Sequence, residues 1–226
     1  MSATRLSSAG RRASIIAAAK AVFARHGMEG ARTQQIARAA GISEALLFRH
    51  FPSKTHIYRA VLREVIADQN ATFRSHGAAE PSTEGLLEVL RRTISYAMLG
   101  MGAPNAEGMR MVVGSLAADG GYARLVYRRA LRLARPDLEK ALEAARADGG
   151  ITGQTISATN AAAFIENVST MMMMARCHER IAIPYDEDDD LTLREAIVFC
   201  ARGIGIADAR VARFLEQMDR DRQGGR

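Results

Sequence analysis

The chain has no tryptophan, and only two cysteines and five prolines among 226 residues. Two cysteines, Cys177 and Cys200, are too few to frame a fold of this length with disulfides, so a reducing compartment is expected. Long apolar runs are missing as well. The most apolar stretch, residues 161–175, is broken by Glu166, Asn167, Ser169 and Thr170, which excludes a membrane span there. The first residues lack the apolar run of a signal peptide, and the expected location is the cytoplasm. Alternating β-branched segments, which strands require, are scarce, leaving an all-α protein. Catalytic signatures are missing too: there is no Gly-rich phosphate loop, no nucleophile elbow, and the five histidines have no metalloprotease spacing. Cys177, His178 and Glu179 are metal-ligand types, but neighbours on a helix point about 100° apart and do not close on one ion. The sequence is therefore read as a non-enzyme without metal or cofactor.

What is present is a packable core and a lopsided charge. Hydrophobic residues make up 48% of the chain and the net charge is +6. Residues 1–60 hold ten Lys or Arg against Glu29 and Glu44, a net +8, whereas the remainder holds 21 bases against 23 acids, a net −2. Positive charge gathered in one short segment suits a surface that meets phosphates or anionic lipid, and charge alone does not choose between them.

Helical periodicity runs along the whole chain. Ile15, Ile16, Ala19, Val22 and Phe23 share one face of a first helix that stops at Gly27. Thr33 suits the cap of a short second helix carrying Ile36, Ala37 and Ala40 and broken by Gly41, and Ser43 suits the cap of a third ending at Phe51-Pro52. Ser53 suits a fourth, with Ile57, Val61, Leu62 and Val65 on one side, running to about Phe73. Later helices are expected at 82–98, at 106–118, and over 122–147, where Pro136 should kink or restart the helix. Others follow over 161–175, from Thr192 with Glu195 in capping-box spacing, and from Asp208 onward. Residues 1–9 and 220–226 read as frayed, and Asp186 to Asp190 as a solvated connector.

Two short helices around a Gly-containing turn, inside a strongly basic segment, make a helix-turn-helix and favour DNA over lipid. In the second of them Leu47 and Phe51, four apart, pack inward while Ala45 lies about 200° around from Leu47. The run Gly41-Ile42-Ser43-Glu44-Ala45-Leu46-Leu47-Phe48-Arg49-His50-Phe51-Pro52-Ser53-Lys54, with Ile57 and Tyr58 after it, resembles the signature of the tetracycline-repressor family. The resemblance extends over roughly residues 10–60. It implies a three-helix DNA-binding domain at 10–60 followed by a larger helical ligand-binding and dimerisation domain at 61–220, and a homodimer that represses from a palindromic operator until a small molecule releases it.

Carried over residue by residue, the resemblance assigns Thr33, Arg49, His50, Ser53 and Lys54 to phosphate contacts on double-stranded DNA, and Gln34, Glu44, Ala45 and Phe48 to base edges. The chemistry suits these roles. Hydroxyl, imidazole and ammonium groups donate to phosphate oxygens, a carboxamide pairs with adenine, and a carboxylate accepts from cytosine. Phe48 stands where the family often has tyrosine, so ring packing remains without the hydroxyl. Glu44 is an acid facing a polyanion, read either as a specificity element or as a first-turn complement to the helix dipole. Arg5, Arg11 and Arg12 suit either a minor-groove arm or a solvated basic tail. In the second domain Met98, Met101, Met109, Phe164, Met171 and Met172 are the candidates for an apolar effector pocket, with core packing as the alternative for each. The helices of about 157–180 and 191–206 are the expected dimer contact.

Overall fold

The structure, a computed structural model, describes residues 7–75, 77–78, 80–99, 103–176, 183–185 and 188–224. Among them it places ten helices: α1 (Ser8–Gly30), α2 (Thr33–Ala39), α3 (Glu44–His50), α4 (Lys54–Ser75), α5 (Thr83–Leu99), α6 (Ala103–Leu116), α7 (Gly121–Ala147), α8 (Ala158–Arg176), α9 (Asp189–Gly203) and α10 (Asp208–Gly224). The β pairing among the described residues amounts to one bridge, Ile151 with Ile206. The all-α expectation holds.

The helices gather into two compact units. One contains α1 to α4, α6 and the start of α7 to Val126; the other contains α5, the rest of α7 from Tyr127, and α8 to α10. The first has a core of Ile15, Ala19 and Phe23 from α1, Ile36 from α2, Leu47 from α3, Ile57, Val61 and Val65 from α4, and Met111 and Val112 from α6. Phe23 meets Tyr58 edge to face at 4.9 Å, and Tyr58 meets Tyr122 at 6.4 Å. Lys20 is the buried charge of α1, and its ammonium lies 3.7 Å from Asp68 of α4. The second unit is built on Leu86, Leu87, Leu90 and Ile94 of α5, packed against Ala161 and Ile165 of α8 and Ile197 and Ala201 of α9.

Several expected boundaries shift because a capping partner was out of view. α1 begins at Ser8, since the Ser7 hydroxyl accepts from the Gly10 N–H at 3.1 Å. α7 runs through Pro136 as one helix; the proline is exposed, so water can satisfy the carbonyl it leaves without a donor. α9 begins three residues before Thr192, because Asp188 accepts from the N–H groups of Asp190 and Leu191 at 2.9 and 3.2 Å. The described part of the acid run is thus a helix cap and first turn, where negative charge complements the helix dipole. The chain beyond Arg220 stays helical to Gly224, with Arg222 held in a bidentate pair with Asp190 across α9 and α10. Asp208 starts α10 and takes the Arg202 guanidinium at 2.7 and 3.1 Å.

One polar knot ties the ends of the second unit together. Asp148, just past α7, accepts the Thr83 hydroxyl at 2.6 Å, the Thr83 N–H at 3.0 Å and the Gly150 N–H at 2.9 Å. Arg210 of α10 approaches the same carboxylate at 3.3 Å and Glu84 at 2.8 Å. A Cβ on Gly150 would fall 1.8 Å from the Thr83 hydroxyl, so only glycine fits. The Thr83 hydroxyl, then burial working against it, then the two N–H donors and Arg210 leave the Asp148 carboxyl below its ordinary range. A depressed carboxyl stabilises the fold above its unfolded value of about 3.9 and loses that contribution as pH falls through the folded one. Asp148→Ala is therefore expected to cost about 1–3 kcal/mol at neutral pH. Denaturant titrations should show the difference from wild type shrinking as pH drops below about 3.9; a deficit that is constant with pH would remove the charge from the account.

Candidate nucleic-acid interface

The basic segment presents two seven-residue helices joined by a tight turn. α2 ends with the Ile42 N–H on the Ala37 carbonyl at 3.0 Å and the Gly41 N–H on the Arg38 carbonyl at 3.1 Å. This double closure needs a left-handed residue, and Gly41 supplies it with φ 64°. Ser43 then caps α3, its hydroxyl accepting from the Leu46 N–H at 3.2 Å. Leu47 and Phe51 are buried, while Glu44, Ala45, Phe48 and Arg49 are exposed and His50 is half-buried. The division of faces expected from the sequence is the one observed. Phe48 is 43% exposed, which leaves its ring no core to fill.

The start of α2 differs from expectation. Arg32 is its cap position and Thr33 its first helical residue, and the Gln35 carboxamide accepts from the Arg32 N–H at 2.9 Å. Freed from capping, the Thr33 hydroxyl donates to the Glu44 carboxylate at 2.5 Å and so links the first turns of α2 and α3. Gln34 beside it is exposed. A residue expected on phosphate and one expected on a base edge are therefore brought into contact with each other.

Lys54 and Ser53 also have partners within the chain. The Lys54 ammonium donates to the carbonyls of Ala31 at 3.1 Å and Glu29 at 3.3 Å, closing the end of α1 onto the start of α4. Ser53 accepts from the His56 N–H at 3.4 Å through its hydroxyl, which also shares a 2.8 Å hydrogen bond with His56 Nδ1. Ser53 thereby caps α4 as expected.

Arg12 is the residue the sequence reading misplaced. It belongs to α1, where its guanidinium donates to the His50 carbonyl at 2.9 Å and lies 4.0 Å over the Phe51 ring. A cation at the last carbonyls of α3 complements the helix dipole, and its plane covers the aromatic wedge that ends the helix. It is a bracket for α3 and not an arm. Arg11 is likewise helical, and Arg5 lies outside the described residues. The contact joins residues 38 positions apart, so no local pattern announces it.

The apolar pocket candidates scatter. Met98 and Met172 are buried in the second unit's core, Met109 is half-buried in the first unit, and Phe164 and Met171 are exposed at 56% and 49%. Met101 falls outside the described residues, as do Cys177, His178 and Glu179. The second unit carries a cleft of about 570 Å³ between α5, α9 and α10, floored by Leu193, Phe214 and Met218, and none of the candidates lines it. Its guanidiniums are held by its own acids, Arg91 by Glu88, Arg194 by Asp219 and Arg222 by Asp190. Cys200 is buried, and burial pushes its thiol up to about 11. Among the described residues no helix is long and apolar enough to cross a membrane, and no group of three metal-ligating side chains occurs.

Residues 15–61 match the family model of bacterial regulatory proteins, tetR family. The transcriptional regulator RutR of Escherichia coli K12 is 43% identical over 56 residues, covering 25% of this chain and 26% of RutR. The transcriptional repressor AcnR of Corynebacterium diphtheriae is 33% identical over 86 residues, covering 38% of this chain and 41% of AcnR. The match thus spans about a quarter to two fifths of these relatives' length. Among solved structures, AibR in complex with isovaleryl coenzyme A and operator DNA has a TM-score of 0.62 at 18% identity, covering 87% of this chain and all of AibR. That likeness shows a shared fold over both units.

The bracket on α3 is testable. Arg12→Ala should lower stability by about 1–2 kcal/mol, the size of a cation–ring contact with one charged hydrogen bond. Amide hydrogen exchange should accelerate over Leu47 to Phe51 while the amides of α5 keep their protection. Uniform acceleration across both units would show that Arg12 is not specific to α3.

Proposed function

We propose that this chain, which belongs to the bacterial tetR family through residues 15–61, is a dimeric transcriptional repressor released from operator DNA by a small molecule. One observation carries the reading. Gln34, Glu44, Ala45, Phe48 and Arg49 are all exposed on α2–turn–α3, within a segment of net charge +8. A helix presenting small, polar and aromatic residues in basic surroundings suits the major groove.

In this reading Arg49, His50 and the free donor of Lys54 hold phosphates, with Ser53 and the first amides of α4 beside them. Thr33 donates to phosphate in the complex and to Glu44 in the free protein. Gln34 and Glu44 read bases, and Ala45 and Phe48 meet thymine methyl groups. The action is cytoplasmic, where the operator is. The second unit takes the effector; AibR, similar in fold, is in complex with isovaleryl coenzyme A and operator DNA. Release requires the effector to bind the non-operator conformer more tightly, with a coupling of about 1–3 kcal/mol.

A second copy of the chain completes the reading. Phe164 and Met171, seven apart, share one side of α8, and Leu191 and Phe199, eight apart, share one side of α9; all four are exposed, Phe199 at 69%. Apolar stripes left bare on two helices that both pack on α5 suit a four-helix contact across a two-fold axis, and that axis would match a palindromic operator.

Fluorescence anisotropy against the DNA flanking its own gene, with scrambled DNA as competitor, should show selective binding with a steep salt slope. The double substitution His50→Ala with Lys54→Ala should weaken all DNA sequences about equally, whereas Gln34→Ala should change base preference by about 1–3 kcal/mol. Equal, weak binding to both DNAs would count against operator recognition. Phe199→Glu should give monomers in sedimentation and lose operator affinity with unchanged helicity; a persisting dimer would move the interface elsewhere.

A further inference from the structure

Glu166, Ser169 and Thr170 occupy positions i, i+3 and i+4 of α8 and so share one face of it. That face is distinct from the exposed stripe, since Phe164 and Met171 lie about 140–160° around the helix from Glu166. Ser169 and Thr170 are 3% and 4% exposed, and neither hydroxyl forms a well-directed hydrogen bond among the described residues. Tyr127 of α7 reaches the same place: Thr170 lies close enough to both the Tyr127 phenol and the Glu166 carboxyl to moderate the titration of each. All four residues belong to the second unit. Glu166 and Tyr127 are half-buried, whereas Ser169 and Thr170 are buried.

Natural folds rarely leave buried hydroxyls without partners, and two of them beside an acid invite an external one. Among the described residues no cation faces the acid either. Burial pushes Glu166 above the ordinary carboxylate range, Thr170 offsets this only in part, and no described cation contributes. The alternatives for such a group are to hold a proton or to meet a cation from outside. Its neighbours are oxygens able to accept further N–H donors.

We propose that the α7–α8 face bearing Tyr127, Glu166, Ser169 and Thr170 is a binding site for an organic ammonium ion. The inference rests on the reading that the second unit takes an effector, and it names the effector's chemical class. The ammonium pairs with the Glu166 carboxylate and donates to the hydroxyls of Ser169 and Thr170. Carboxylate ligands meet like charge there, and alcohols of the same size gain hydrogen bonds without the ion pair.

The test is calorimetry on the full chain without DNA, using hexyl-, octyl- and phenethylammonium, with octanol and octanoate as matched controls. At least one ammonium should bind about tenfold or more tightly than both controls, the range of a charged hydrogen bond. Glu166→Gln should erase that preference while helicity by circular dichroism is unchanged. Thr170→Val, which keeps the shape of the side chain, should weaken ammonium binding several-fold and provides the decision if the Glu166 variant fails to fold. The site is overturned if no ammonium outbinds its controls, or if the preference survives Glu166→Gln, or survives Thr170→Val in full where that variant is decisive. Operator binding measured separately distinguishes the two failures. Intact DNA recognition without ammonium binding removes this site alone, and ammonium binding without DNA recognition removes the regulator reading.

Discussion

The exposed face of the second helix of the helix-turn-helix rests on an element too short to exist alone. α3 has seven residues, whereas isolated helices below about 12–15 residues are marginal in water. Its shape must be imposed from outside. Ser43 satisfies a donor at one end, Leu47 fixes the inward face, Phe51 wedges the chain as it leaves, and Arg12 holds the last carbonyl. These constraints consume the inward residues completely. Glu44, Ala45, Phe48 and Arg49 are left with no share in the core, which is the condition for using them to read a sequence.

The same economy governs the residues around α3. Thr33 and Glu44 hold each other, and Lys54 holds the end of α1 through the carbonyls of Glu29 and Ala31. Side chains positioned by their own fold lose less freedom on binding than side chains that wave in solvent. The Thr33 contact also tempers Glu44. An acid on a DNA-facing helix repels phosphates, and a hydroxyl bond keeps the carboxylate directed towards α2. On the proposed reading this hold belongs to the free protein and is released when Thr33 turns to a phosphate, leaving the carboxylate to a base donor.

What could be read from the sequence follows from how far each signal reaches. Gly41 and Ser43 act on neighbours within five residues, so the turn and the start of α3 were legible from the local sequence alone. The inward position of Leu47 followed from periodicity. The Arg12 bracket and the Arg222–Asp190 pair join residues 38 and 32 apart, and both had been read as frayed or solvated ends. Thr33 was misread as a cap because its real partner, Glu44, sits on another helix. The methionines carried the least information: a flexible apolar side chain suits a core, a pocket or an interface equally. Burial then put Met172 inside and Met171 outside, one residue apart.

The second unit holds two acids whose surroundings pull in opposite directions, and the contrast separates structure from opportunity. Asp148 receives two backbone donors, a hydroxyl and a guanidinium, and these hold its carboxyl low. These contacts join the chain just past α7 to the start of α5 and to α10. Glu166 receives one poorly directed hydroxyl, and burial raises it. Replacing it with an apolar residue would relieve a cost that the fold gains nothing visible by bearing. Beside it, Ser169 and Thr170 repeat the same imbalance with neutral groups. Among the described residues two buried hydroxyls of α8 have no well-directed partner beside this acid, and Ser169 adjoins Ile165 and Met172, four and three positions away, on the side that packs into the core. On the proposed reading the imbalance is resolved by a donor that arrives from solution, and a cationic donor meets the acid and the two hydroxyls together.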